Sequence, residues 1–285
     1  MKTLITFLII FAVIQSCAPP QNNEVIHTLD TLQSIVRTDT GVFVKNSYIL
    51  DGIETCVELR KAKPKGETEE YMRYAYGYDS LGNKILAINS LYNREKKDYV
   101  HLSKEEFEYD DSHNPTLSTL YIEKRGHWFP QERYGRTFDA RGNVSTLETY
   151  EPQIDGWVIR HKTFYKYDNA GNITEKTDFR ADDKGEWHPV EKVQREYQKS
   201  LMVLEIVSSP ASGNKWAEKT KAEFEYNVAK QIVTSTSYIK RGNKWANYVQ
   251  VKYSYDATGN ITASDTYFWN EKTGRWKLQN DDDDF

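Results

Sequence analysis

Residues 165–174, YKYDNAGNIT, are the stretch that decides the fold. Alternating side chains run into Asp168, and the chain returns into the β-branched Ile173 after Gly171. Asp168 can accept hydrogen bonds from the amides of the turn, and Gly171 can take the left-handed conformation that closes a short hairpin with a bulge. The stretch therefore predicts a β-hairpin.

The same turn recurs along the chain. Its aromatic residue is found at eight positions separated by 29 to 31 residues: Tyr48, Tyr78, Tyr109, Phe138, Tyr167, Tyr197, Tyr226 and Tyr255. An aspartate follows at Asp79, Asp110, Asp139, Asp168 and Asp256, and the glycine recurs at Gly82, Gly142, Gly171 and Gly259. A fixed period of this length is typical of repeat architectures.

A second turn alternates with the first and carries glycine one to three residues before tryptophan. The tryptophans lie ten residues before the next aromatic marker: Trp128, Trp157, Trp187, Trp216 and Trp245. Each repeat thus has two strands and two turns, which predicts an antiparallel meander without crossover helices. The predicted fold is all-β, with about seven to eight 29-residue hairpins over residues 41–276.

Side-chain alternation predicts which residues share a face of the sheet. Trp157, Tyr165 and Tyr167 have even separations, whereas Arg160 and Lys166 have the opposite parity. We therefore expect one aromatic and one charged face. Because about fourteen to sixteen strands cannot leave an aromatic face in water, the sheet is expected to curl into a shell, barrel or solenoid.

The N-terminal residues 1–17 have the pattern of a targeting segment, with a short basic start and an apolar run. Residues 14–17, IQSC, resemble the lipobox of bacterial lipoproteins, which implies lipidation of Cys17. The alternative is an ordinary secretory signal that is cleaved nearby. Lipidation would leave Cys56 as the only thiol, and its strand-like setting predicts a buried structural role.

Three further segments flank the repeats. Residues 18–23 are predicted to be a tether, and residues 24–40 an N-terminal helix or cap, because apolar residues recur at helical spacing over residues 24–37. Residues 277–285 are predicted to be an acidic tail.

The turns resemble the YD or Rhs-type repeats of bacterial cell-surface and toxin-shell proteins. The resemblance covers residues 70–276 and is best matched at Tyr78-Asp79, Tyr167-Asp168 and Tyr255-Asp256. The unit here is longer, has the added glycine-tryptophan turn and lacks a C-terminal toxin domain. The resemblance implies a shell or surface role and transfers no catalytic residue.

Charge and motifs narrow the possible chemistry. The 38 basic and 42 acidic residues, with a pI near 5.9, give no reason to expect nucleic acid. The six histidines have no metal-ligand spacing with one another, and no cofactor or catalytic motif is present. We therefore predict no metal, no cofactor and no enzymatic activity. The alternative is a glycan-processing enzyme with two carboxylates about 5 to 10 Å apart.

The five tryptophans are the candidate ligand-binding residues, because aromatic rings repeated at one end of the hairpins could stack on sugars or receive a peptide. Alternatively, they pack between repeats as spacers. The sequence predicts a non-enzymatic protein of the Gram-negative cell envelope, lipid-anchored in the outer membrane, that binds glycan or protein. The second reading is a structural or assembly component of the envelope.

Overall fold

A computed structural model describes residues 29–38, 41–50, 53–213 and 215–279. These residues form eighteen β-strands and one 3-10 turn at Pro64–Gly66. The strands are β1 Leu29–Thr38, β2 Gly41–Leu50, β3 Ile53–Ala62, β4 Thr68–Tyr78, β5 Lys84–Asn93, β6 Asp98–Tyr109, β7 Pro115–Lys124, β8 His127–Phe138, β9 Val144–Gln153, β10 Gly156–Tyr167, β11 Ile173–Ala181, β12 Trp187–Gln198, β13 Leu201–Ala211, β14 Lys215–Tyr226, β15 Ile232–Arg241, β16 Lys244–Tyr255, β17 Ile261–Asn270 and β18 Arg275–Leu278.

Each strand pairs antiparallel with the next one along the chain, from β1 to β8 and again from β10 to β18. Strands β9 and β10 are also paired. The predicted all-β meander is therefore confirmed. The eighteen strands exceed the fourteen to sixteen expected, since β1 and the short β18 add one strand at each end. Whether the sheet curls stays a prediction.

The chain divides into two compact units. The described part of the first comprises residues 29–38, 41–50, 53–136 and 149–158. The second comprises residues 137–148, 159–213 and 215–279.

The predicted N-terminal helix is wrong over residues 29–38, which form β1. Residues 24–28 lie outside the described part of the chain, as do the targeting segment and the tether. Strand β1 pairs with β2 over ten residues, and the side chains of Leu32 and Ile35 are 59% and 63% exposed. The apolar residues with helical spacing therefore do not pack against a core. The β-branched residues in the same segment favour a strand. No helix among the described residues is long and apolar enough to cross a bilayer.

The C-terminal boundary also differs slightly from the prediction. Strand β18 ends at Leu278, two residues into the segment predicted as an acidic tail. Residues 280–285 lie outside the described part.

Bulges in six strands overturn the predicted division into an aromatic and a charged face. Between β13 and β14, Val207 pairs with Thr220 but Ser208 pairs with Glu218, so Lys219 is an extra residue. The equivalent extra residues are Tyr71, Leu102, Gln131, Val190, Lys219 and Tyr248. Because one extra residue inverts the alternation of side chains, the two ends of the strand place odd-numbered residues on opposite faces.

The consequence is clear in β14. Trp216 shares its face with Lys221, whereas the marker Tyr226 lies on the other face. Tryptophans are therefore interleaved with charged residues, and the marker tyrosines are separated from them. The alternation of side chains read from the sequence could not reveal which residues share a face. A bulge does not interrupt the repeat in the sequence, so nothing there marks the extra residue.

The core of the first unit is built around Cys56, Ala75 and Ile88, which pack against Tyr48 and Trp128 among others. Cys56 is 2% exposed, so its predicted burial is confirmed. Its predicted thiol state depends on the modification of Cys17 and stays a prediction. Cys17 lies outside the described residues.

The marker tyrosines join each repeat to the one before it. Six of them donate a hydroxyl hydrogen bond of 2.7 to 3.1 Å to a backbone carbonyl 23 to 25 residues earlier: Tyr78 to Glu54, Tyr109 to Lys84, Tyr167 to Val144, Tyr197 to Ile173, Tyr226 to Met202 and Tyr255 to Ile232. Each acceptor is one of the first two residues of the strand that follows the preceding turn. Tyr48 instead donates to Glu58, and Phe138 has no hydroxyl.

We predict that Tyr255→Phe lowers the free energy of unfolding by about 1 kcal/mol, because it leaves the Ile232 carbonyl without its 2.7 Å donor. Tyr253→Phe is the matched control, since Tyr253 lies on the same strand, is half-buried and makes no hydrogen bond in the described structure. Urea denaturation of both variants measures the difference. Equal losses would show that the hydroxyl of Tyr255 has no special part in stability.

Candidate functional site

The carboxylates of the turn aspartates accept hydrogen bonds from groups of their own turns. Asp168 Oδ1 accepts the amides of Ala170 and Asn172 at 2.8 and 2.9 Å, and its Oδ2 accepts the Asn172 side-chain amide at 2.9 Å. Asp79, Asp110, Asp139 and Asp256 form the same pattern. These carboxylates therefore stabilise turns, as the sequence predicted.

The turn glycines also have the predicted role. Gly171 has a φ of 84°, and a Cβ placed there would meet nothing within 4 Å, so only the left-handed backbone requires glycine. Gly82, Gly142 and Gly259 have φ values of 81° to 91°. His113 and Lys230 take the same place in their turns with a φ of 64°.

The tryptophans lie at the opposite end of the hairpins, and cations cover four of the five candidate rings. The cation-to-centroid distances are 5.4 Å for Lys104 on Trp128, 4.5 Å for Arg133 on Trp157, 5.0 Å for Lys162 on Trp187 and 4.4 Å for Lys240 on Trp245. Lys221 also lies 5.7 Å from Trp245. Among the described residues, no cation is placed on Trp216, which is opposite Pro210.

The covering cations follow the repeat. Lys104, Arg133, Lys162 and Lys221 each precede their tryptophan by 24 or 25 residues. Each contact thus joins a strand of one repeat to the tryptophan of the next, an arrangement that the sequence analysis missed. The constant spacing of a cation before each tryptophan was the available signal.

Carboxylates accompany these cations. Lys104 is 2.5 Å from Glu106, Lys162 is 2.9 Å from Glu148 and Lys221 is 2.7 Å from Glu223. Hydrogen bonds from Lys221 and then Tyr238 lower the pKa of Glu223, so the carboxylate is charged at neutral pH. The tryptophans consequently lie among paired charges. Trp187 is 38% exposed, and the other four are half-buried.

One group of side chains has the composition of a metal site. The ligand atoms of Asp182, Glu186 and His188 lie within 4.8 Å of one another. Asp182 Oδ1 already accepts the amides of Lys184 and Glu186, and Asp182 Oδ2 is 3.0 Å from His188 Nε2. The hydrogen bond from His188 and then the amide of Glu186 lower the pKa of Asp182. The hydrogen bonds of the turn therefore explain why these three side chains lie close together.

A buried ion pair lies on the core face of the first unit. Glu58 is 8% exposed, and Arg73 donates to its Oε1 from Nε and Nη2 at 3.0 and 2.8 Å. Tyr48 donates to Oε2 of the same carboxylate at 3.2 Å. The Arg73 guanidinium also lies 4.0 Å from the centre of the Tyr99 ring. Burial, followed by the charge of Glu58, raises the pKa of Tyr99 to about 12, so its hydroxyl stays protonated at neutral pH.

Comparison with known proteins shows limited similarity. A DUF3836 family protein from Bacteroides vulgatus is 20% identical, with a TM-score of 0.29, over 31% of this chain and 89% of its own. A porin-like protein from Bacteroides uniformis is 10% identical, with a TM-score of 0.33, over 79% of this chain and 93% of its own. A TcdB2-TccC3-Cdc42 structure is 9% identical, with a TM-score of 0.28, over 82% of this chain and 16% of its own.

No family model and no curated protein sequence matches this chain. The structural similarities are too distant to bear on function.

We predict that acid weakens the protein partly through the turn aspartates. Hydrogen bonds from the Thr258 hydroxyl and the Asn260 amide lower the pKa of Asp256 from 3.8 to about 2. A carboxyl with a lowered folded-state pKa contributes stability above its unfolded pKa, and this contribution is lost as pH falls through the folded pKa. The melting temperature should therefore fall between pH 3.8 and about 2.

Asp256→Asn isolates this effect, since Asn227 accepts the Gln231 amide at 3.0 Å in the corresponding turn of another repeat. Asparagine can thus keep the acceptor and remove the titration. Melting curves from pH 5 to pH 2 should fall less steeply for this variant. Asp155→Asn is the control, because the Asp155 carboxylate has no hydrogen bond in the described structure. Parallel curves for all three proteins would contradict the prediction.

Proposed function

We propose that this chain is a non-enzymatic, lipid-anchored protein of the bacterial cell envelope whose β-hairpin repeats bind a glycan or a protein at the tryptophan-bearing ends. The supporting observation is the set of half-buried tryptophans, repeated once per hairpin, with a cation beside most of them. An indole ring offers a stacking surface, and a neighbouring ammonium or guanidinium group offers hydrogen-bond donors.

Trp187 and Trp216 are the favoured contacts within this set. Trp187 is the most exposed of the five rings, at 38%. Trp216 has no cation on its ring in the described structure. Consecutive tryptophans of a unit are separated by two strands, about 10 Å, which suits an extended ligand that contacts several rings.

Non-enzymatic function is supported by how the carboxylates are used. The turn aspartates accept amides of their own turns, and strand glutamates such as Glu175 and Glu205 are in ion pairs. A general acid or base needs a titratable group that is free to exchange a proton with a substrate. The same contacts favour one alternative, a structural component of the envelope, because each cation-tryptophan contact joins neighbouring repeats.

We predict that replacing Trp187 and Trp216 together by alanine abolishes binding and leaves the melting temperature within a few degrees of the parent. The full chain would be screened in detergent against glycans, peptidoglycan fragments and envelope proteins. Phe164→Ala with Tyr248→Ala is the control, since these aromatic side chains are 44% and 51% exposed and lie on β10 and β16, outside the strands of Trp187 and Trp216. A loss of stability of about 3 kcal/mol or more without a ligand would instead favour the spacer role.

The proposed lipid anchor depends on the lipobox-like residues 14–17. The alternative for the Cys17 sulfur is a disulfide. The chain has only two cysteines, Cys17 and Cys56. A lipid thioether at Cys17 and a disulfide between the two cysteines exclude each other, because each uses the Cys17 sulfur.

We predict that the chain extracted from bacterial membranes has the intact mass of residues 17–285 plus a lipid group, with Cys56 open to alkylation after denaturation. Cys17→Ser should lose the lipid mass and leave the membrane fraction. Cys56→Ser is the control and should keep the lipid. A lipid-free mass with an internal disulfide would overturn the anchor and leave the proposed binding role standing.

A further inference from the structure

The turn that joins β11 to β12 has the backbone of the marker turns but lies at the tryptophan-bearing end of its hairpin. Asp182 Oδ1 accepts two amides of the turn at 2.9 Å each, and the Gly185 amide donates to the Asp182 carbonyl at 3.0 Å. Gly185 has a φ of 81°, close to the 84° of Gly171. The marker turn at Asp168 is therefore a matched reference for the turn at Asp182.

The two turns differ at the residue four positions after the aspartate. In five marker turns this residue is an asparagine whose side-chain amide donates to the aspartate Oδ2: Asn83, Asn114, Asn143, Asn172 and Asn260. Glu186 takes this place in the turn at Asp182. Because a carboxylate has no proton to donate, this turn brings two negative charges together where the marker turns pair a carboxylate with an amide.

His188 supplies the third side chain of the group. Its Nε2 lies 3.0 Å from Asp182 Oδ2, the oxygen that the asparagine amide reaches in the marker turns. Glu186 and His188 are two residues apart, and the Glu186 carbonyl accepts the Asp182 amide across the turn at 3.0 Å. Side chains at these three positions consequently share one face of the hairpin. Their ligand atoms all lie within 4.8 Å of one another.

The group has the composition and nearly the dimensions of a three-ligand metal site. One imidazole nitrogen and two carboxylates form a ligand set that Zn²⁺ accepts, with a position left for water. Two ligand atoms of one Zn²⁺ ion are at most about 4.4 Å apart, which is twice the metal–ligand distance. Asp182 and His188 already meet this limit, and the exposed Glu186 side chain can approach by a change of rotamer.

Two arginines lie near this group and weaken its attraction for a cation. Arg180 is opposite His188 in the β11–β12 ladder and is exposed, so its side chain can extend into solvent. Arg160 donates to the Asp182 carbonyl at 3.2 Å and lies 3.7 Å from Asp183 Oδ1, a carboxylate outside the group. We therefore expect an affinity lower than that of a buried site, in which no arginine competes with the ion.

We propose that Asp182, Glu186 and His188 bind a divalent transition-metal ion. When the ion binds, the Nε2 lone pair of neutral His188 becomes a ligand and the ring proton lies on Nδ1. The hydrogen bond from His188 to Asp182 Oδ2 is then replaced by a bond from each atom to the ion, while Asp182 Oδ1 keeps its two turn amides. The search for spacing among histidines missed this group, because it contains a single histidine.

The metal site goes beyond the proposed ligand binding at the tryptophans. Trp187 lies between Glu186 and His188 in the sequence, so its side chain projects to the other face of the hairpin. The ion would therefore hold the turn that precedes Trp187 without touching the face that carries the ring.

Isothermal titration of the full chain in detergent, purified without a histidine tag and freed of metal, tests the proposal. We expect one Zn²⁺ per chain with a Kd below about 100 µM. Mg²⁺ should bind at least about tenfold more weakly, because it prefers oxygen ligands and dehydrates reluctantly. The absence of saturable Zn²⁺ binding at millimolar concentration, or an equal affinity for Mg²⁺, would overturn the proposal.

Glu186→Asn locates the binding, because it gives the turn the residue of the marker turns and removes one ligand. The Kd for Zn²⁺ should rise at least about tenfold, with the melting temperature unchanged or raised. Glu196→Asn is the matched control, since Glu196 is an exposed carboxylate of the same strand outside the group. An unchanged Kd in Glu186→Asn would exclude this turn as the site.

Electron paramagnetic resonance of the chain loaded with Cu²⁺ identifies the histidine and decides the question if Glu186→Asn does not fold. The signal should show coupling to one imidazole nitrogen, and His188→Gln should lose it. His127→Gln is the control, because His127 is an exposed histidine next to a tryptophan in the other unit. Coupling that persists in His188→Gln would contradict the proposal. None of these variants replaces a candidate tryptophan, so the proposed function is tested separately.

Discussion

The hydrogen bond from a marker tyrosine to a carbonyl of the preceding repeat is the interaction on which the period of the chain depends. An antiparallel ladder fixes neighbouring strands but would tolerate turns of many lengths. The tyrosine adds a second constraint, because its hydroxyl must reach the start of the strand that follows the previous turn. Tyr167 to Val144 and Tyr197 to Ile173 meet this condition at 2.8 and 3.1 Å. The separation of 23 to 25 residues recurs in six of the eight repeats.

Bulges explain how the same sheet can carry aromatic rings and charges on one face. An extra residue such as Lys219 inverts the alternation partway along the strand, so Trp216 shares its face with Lys221 rather than with Tyr226. The lysine then lies near the ring of the following repeat and near a carboxylate on its own strand. The aromatic rings and the charged side chains of this face are stabilised by cation–ring contacts and ion pairs.

The sequence allowed the hairpin turns to be predicted in detail, because Asp168 and Gly171 act through local geometry that neighbouring residues determine. It misled at β1, where Leu32 and Ile35 have helical spacing, since pairing with β2 is a tertiary effect. It also misled on the faces, because a bulge depends on the partner strand. The ion pair of buried Glu58 and half-buried Arg73 could not be found from periodicity, as each is an ordinary polar residue of an alternating strand.

Thr68 departs from the repeat, because the later repeats carry tryptophan at the corresponding position. Every strand of the repeat is held by its neighbours and by the turn hydrogen bonds, so a large side chain can be lost from one position without loss of the fold. Thr68 and its neighbours line a cavity on the first four strands. The regular strand pairs and turns therefore supply the rigidity, and the residue at a single position of the repeat can vary.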